Sequence, residues 1–177
     1  TGYGNTATGN EALRRNTTGH NNTAIGIRAL YYNTTQSHLV AVGDSALHNN
    51  GRDAFFSFNS LVNTAIGSIS LYSITTVSYI SANCYHARSA NTTGFSITAN
   101  GYQALFHSTE GDYNTAIGYR ALYSNITGYG NTATGNLALY SNAEGTDNTA
   151  NGNYELYCNT NGYQNTDIGA GALHENN

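Results

Sequence analysis

Apolar positions in this chain recur neither every second residue nor every three to four residues, but every seventeen. Residues 114–130 read NTAIGYRALYSNITGYG and are followed by NTATGNLALYSNAEGTD, NTANGNYELYCNTNGYQ and NTDIGAGALHENN. Units start at positions 5, 22, 39, 63, 80, 97, 114, 131, 148 and 165. Each step is 17 except 39 to 63, which is 24 and leaves an irregular insertion near 56–62. A fixed period of this length marks a stacked repeat architecture. Residues 1–177 therefore read as a single repeat array.

The columns of the repeat assign a role to each position. Position 2 is almost always β-branched (Thr6, Thr23, Val40, Thr64, Thr98), and position 3 is Ala from Ala7 to Ala150, giving way to Asp167. Position 5 is Gly9, Gly26, Gly43, Gly67, Gly101, Gly118, Gly135, Gly152 and Gly169, with Cys84 the exception. Position 9 is Leu in every unit but one, where it is Arg88, and position 12 is mostly Asn. A glycine column predicts a turn in each coil that needs positive φ or close backbone approach. Ala and a single Leu per coil fill only a narrow interior, each stacked on its copy in the next coil. Columns of Asn can form amide ladders along such a stack.

These features predict an all-β fold, a parallel β-solenoid or β-roll of about ten 17-residue coils. Each coil is expected to hold two short strands and two turns. With strands about 4.8 Å apart, the rod would be roughly 48 Å long. Helical repeats have longer periods, and leucine-rich repeats have longer units with more Leu.

Composition supports a thin, regular architecture. Only 9% of residues are charged, and the chain lacks Pro, Met, Trp and Lys while carrying 15 Tyr. Such a chain is too poor in charge for disorder and too poor in large aliphatics for a thick core. The net charge of −4 is mild and the six Arg are spread along the sequence, so no basic stripe predicts nucleic-acid binding. No apolar stretch is long enough to cross a bilayer, so no membrane insertion is expected.

Catalysis is not expected. The six His are scattered and form no single column, which argues against a metal row, and the acids form no column. Cys84 and Cys158 lie four coils apart, beyond disulfide reach. Gly-rich strings such as TGYGNTATG lack the lysine of a phosphate loop. No cofactor is implied.

Two surface features remain. Five N-x-[ST] sequons occur at Asn16, Asn21, Asn33, Asn91 and Asn125, four of them in the position-12 column. They read either as glycosylation sites or as members of an Asn ladder. Position 10 carries an aromatic row of Tyr31, Tyr72, Tyr123, Tyr140 and Tyr157 together with Phe106. Such a row can bind sugar faces, join neighbouring chains or cover the core. Thr-x-Thr pairs at Thr6–Thr8 and Thr132–Thr134 raise ice binding as a further alternative.

The strings NTAIGYRAL, NTATGNLAL and NTAIGIRAL resemble the head repeats of trimeric autotransporter adhesins and the tandem repeats of some phage tail-fibre and bacterial surface proteins. The resemblance implies a left-handed parallel β-roll in which three chains pack side by side on a cell or virion surface. The unit here is longer, and no heptad stalk, neck or anchor accompanies it. The residues give their own reason for self-association, because units with so little apolar content rely on neighbours. Asn177 also runs onto Thr1 in phase, as expected of head-to-tail stacking or of a window from a longer array. The expected function is a structural or adhesive module of an extracellular fibre or filament whose partners are copies of itself, with glycans as possible ligands.

Overall fold

The structure is a computed structural model that describes residues 2–52, 62–74, 78–87 and 94–175. Most of the 56–62 insertion, together with Arg88 and Asn91, lies outside the described residues. Ten strands follow one another in order: β1 (Thr6–Thr8), β2 (Thr23–Ile25), β3 (Val40–Val42), β4 (Thr64–Ile66), β5 (Ile80–Asn83), β6 (Ile97–Asn100), β7 (Thr115–Ile117), β8 (Thr132–Thr134), β9 (Thr149–Asn153) and β10 (Thr166–Ala170). They form one parallel sheet in sequence order. The fold is thus the expected all-β parallel solenoid.

The register is the repeat itself. Ala7 pairs with Ala24, Ala24 with Ala41, and Ala116 with Ala133. Where the step is 24 rather than 17, Val40 still pairs with Thr64 and Ala41 with Ala65. The ladder therefore keeps its register across the longer step. Thr, Val and Ile suit the half-buried pleated surface. Alternation then turns position 3 inward and positions 2 and 4 outward, as at Thr115, Ala116 and Ile117.

One expectation is corrected: the coil holds one strand, not two. The second leg, positions 6 to 11, runs as turns, because positions 7 and 9 both take left-handed backbone conformations. Arg120 and Leu122 have φ of 52° and 51°, and Arg28 and Leu30 have 58° and 53°. A left-handed non-glycine residue costs about 1–2 kcal/mol. The Leu column is nevertheless completely buried from Leu30 to Leu156 among the described residues, and burying a Leu contributes about 1.5–3 kcal/mol. At position 9 itself the gain is comparable to the strain of that one residue. This leg still bonds coil to coil, with Leu122 N donating to Ala138 O at 3.0 Å and Ser124 N to Tyr140 O at 3.0 Å.

Two glycine columns shape the turns. At position 5, Gly118 has φ of 138°, and a Cβ there would sit 2.6 Å from the carbonyl carbon of Gly135. The second column, position 15, was not foreseen. Gly128 has ordinary φ, but a Cβ would overlap the Gly145 carbonyl oxygen and the Asn125 side chain. There the packing of successive coils, rather than the turn, excludes a side chain.

Candidate functional site

The interior is Ala and Leu on one side and Asn on the other. At position 12, Asn142 Nδ2 donates to Asn125 Oδ1 at 2.9 Å and to Gly145 O at 2.9 Å. Asn159 Nδ2 in turn donates to Asn142 Oδ1 at 2.8 Å. A second ladder runs along position 1. Asn131 N donates to Asn114 Oδ1 at 2.9 Å, Asn148 N to Asn131 Oδ1 at 3.0 Å, and Asn165 N to Asn148 Oδ1 at 3.0 Å. The position-12 ladder follows the sequence reading. The position-1 ladder was missed, although the Asn that opens seven of the ten units was its signal. Both positions are truly interior, since Leu39, Ile80 and Ile97 at position 1 and Ile74 at position 12 are buried as well.

This placement bears directly on the sequons. Asn33 and Asn125 are completely buried, and Asn33 Nδ2 already donates to Gln36 O at 3.0 Å and to Asn16 Oδ1 at 3.1 Å. The folded chain leaves no room for a sugar on either residue. Asn16 is half-buried and donates to Gly19 O at 2.9 Å. Asn21 alone among the described sequons is exposed.

The aromatic row at position 10 forms two continuous stacks. In the first, His48 lies parallel to Tyr31 at 5.3 Å and to Tyr72 at 4.9 Å. In the second, Tyr140 lies 5.0 Å from Tyr123 and 5.0 Å from Tyr157, with Phe106 and His174 extending the two ends. Burial, then the neighbouring Tyr140, raises the Tyr157 phenol above its ordinary range. In these stacks the ring faces are spent on one another, so a sugar cannot lie flat on an interior ring. The tyrosines of the row are half-buried. A third stack, of Tyr85, Tyr102 and Tyr119 at position 6, is more exposed.

The six histidines all lie in ring contacts. Each engages another aromatic ring: His20 stacks on Tyr3 and meets His38 edge-on, His86 meets Tyr85, and His107 meets Phe106. His20 Nδ1 is also 2.8 Å from Ser37 Oγ. Among the described residues no group of three or more His, Cys, Asp or Glu could hold a metal ion. Cys84 and Cys158 are free thiols. No helix of the described residues is long and apolar enough to cross a membrane.

The outer face of the sheet is uncharged. Positions 2 and 4 present only Thr, Ser, Val, Ile and Asn, and Ile25, Ile66, Ile117 and Ile168 are exposed there.

One pair of carboxyls interrupts the interior. Glu155 at position 8 and Asp167 at position 3, where other coils carry mostly Ala, are buried in the last two coils. Neither Glu155 Oε1 nor Oε2 has a well-formed hydrogen-bond partner. Burial first, then the Asp167 carboxyl, raises Glu155 above the ordinary carboxylate range, while the backbone of Gly171 and Ala172 pulls the other way.

Compared with known proteins, the chain matches no family model, no curated protein and no solved structure.

Proposed function

We propose that this chain is a structural repeat module of an extracellular fibre or surface filament that self-associates and performs no catalysis. The observation that supports this most is the outer sheet face: uncharged, in register from Thr6 to Thr166, with a row of exposed isoleucines. Parallel sheets are ordinarily covered on both faces. Here one face lies on the core and the other has no cover among the described residues. A second copy of the same face is its simplest complement, and the repeat resemblance favours three chains side by side on a cell or virion surface.

Mass determination in solution, with electron microscopy, tests the reading. Defined oligomers or rods are expected, and the variant I66D/I117D is expected to reduce them to single chains with unchanged circular dichroism. A wild-type chain that stays monomeric at high concentration and forms no rods would sink the idea.

The same face favours one other reading. Thr115, Thr132, Thr149 and Thr166 follow one another in adjacent strands, giving hydroxyls about 4.8 Å apart. Such a row can order water into an ice-like layer. A thermal-hysteresis assay decides it, with T132L/T149L expected to abolish any activity.

A further inference from the structure

Four of the six arginines, Arg14, Arg15, Arg28 and Arg52, gather around Tyr31 and Tyr32 on the first three coils. The sequence spreads them over 39 positions; stacking brings them together, so the expectation of scattered cations is corrected here. The guanidinium carbons of Arg15 and Arg52 lie 4.7 and 4.9 Å from the centre of the Tyr32 ring. Those of Arg14, Arg15 and Arg28 lie 5.9, 5.6 and 6.0 Å from that of Tyr31.

All four arginines are exposed. Glu11 engages two of them, pairing with Arg14 and accepting from Arg28 Nε at 2.7 Å. Arg15 and Arg52 have no acidic partner among the described residues; Asp53 lies outside them. Among the described residues Glu11 is thus the one acid paired with these four arginines. The positive field reaches His48, stacked between Tyr31 and Tyr72. Burial lowers its proton affinity first, an Asn49 contact opposes this, and the charges of Arg28 and Arg52 add to the lowering.

The shape and chemistry of the patch select a class of ligand. No concave pocket opens among the described residues, whereas a small molecule is bound by engulfing most of its surface. A flat array of exposed guanidiniums over successive coils instead suits an extended polymer with repeated anions. Guanidinium forks match carboxylate and sulfate oxygens in pairs. Nucleic acid fits less well. Single strands need free aromatic faces for their bases, but Tyr32 is flanked by two guanidiniums and Tyr31 stacks on His48. Duplex binding calls for a longer run of phosphate contacts.

The geometry points to a binding site for an acidic polysaccharide, sulfated or uronate-bearing, laid across coils 1 to 3 with Arg15 and Arg52 as its principal anion contacts. This site is separate from the outer sheet face and does not depend on the fibre reading.

The test titrates the full chain at physiological salt with dextran sulfate, polygalacturonate, neutral dextran and oligo-dT. Binding of dextran sulfate or polygalacturonate is expected, and which of the two binds identifies the anion. Neutral dextran is expected to give none. R15A/R52A should weaken binding about tenfold through loss of two charge-assisted contacts, with R120A unchanged. By NMR, the ligand should shift the His48 titration upward in the wild type but not in R15A/R52A. The proposal fails if neither acidic glycan binds, if the double variant binds as well as wild type, or if oligo-dT binds more tightly than both glycans. It also fails if R15A/R52A alters only the oligomer mass, since the patch would then hold acidic coils of a second copy.

Discussion

Asn142 donates its side-chain amide to the Asn125 oxygen one coil away at 2.9 Å, and neither residue is reached by solvent. Each rung therefore depends on the next. Replacing Asn142 with Ala leaves Asn125 Oδ1, Gly145 O and the Asn159 amide short of partners. Unpaired buried polar groups cost about 1–3 kcal/mol each. N142A should lower the unfolding free energy by roughly 2–3 kcal/mol, whereas the more accessible Asn136 changed to Ala should stay within about 0.5 kcal/mol. Urea unfolding monitored by circular dichroism measures both, and equal losses would refute the ladder as a stabilising element.

Cys84 stands where every other unit has Gly, with φ of 132°. Non-glycine residues in sparsely populated backbone regions carry about 1–3 kcal/mol of strain, partly offset because glycine loses more entropy on folding. C84G is expected to stabilise the chain by about 1 kcal/mol, seen as a higher Tm. The reverse change at a regular coil, G118A, should destabilise it, since its Cβ would also meet the Gly135 backbone. A lower Tm for C84G would show that position 84 is not strained.

The raised Glu155 gives stability a pH dependence of definite sign. In the unfolded chain its carboxyl titrates in the ordinary range, but in the folded chain it holds its proton to higher pH. Protonation thus favours folding, and the stabilisation is complete below the unfolded value and lost as pH rises through the folded one. Hydrogen exchange of the last two coils should be slower at acidic than at neutral pH, and E155Q should flatten that difference. Exchange that slows with rising pH, after correction for intrinsic rates, would contradict the assignment.

Burial orders the sequons. Secreted from a eukaryotic host, the chain should carry glycan at Asn21 more often than at Asn33 or Asn125, whose amides lie inside the ladder. Peptide mapping by mass spectrometry reads the occupancy. Chains modified at Asn125 should also have a lower Tm, because the sugar displaces a rung. High occupancy at Asn33 with no loss of stability would place that column outside the core.

The seventeen-residue period by itself determined the stack, the register and the parallel sheet. Identical local sequences adopt identical local conformations, so residues one unit apart must meet; Ala116 over Ala133 was legible from spacing alone. Periodicity says which residues meet, however, not which way they point. That depends on the backbone angles at positions 7 and 9, where a buried Leu column holds residues such as Leu122 in a left-handed conformation. No local propensity would assign Leu to it. Tertiary structure alone therefore decided that the second leg is not a strand and that the Asn of position 1 lies inside. It also decided that the tyrosine faces of position 10 are spent on each other, and that arginines far apart in sequence surround Tyr32. The physical reason is that stacking converts sequence distance into a few ångströms only along the axis, while direction around the coil is fixed by burial and sterics acting on the whole turn.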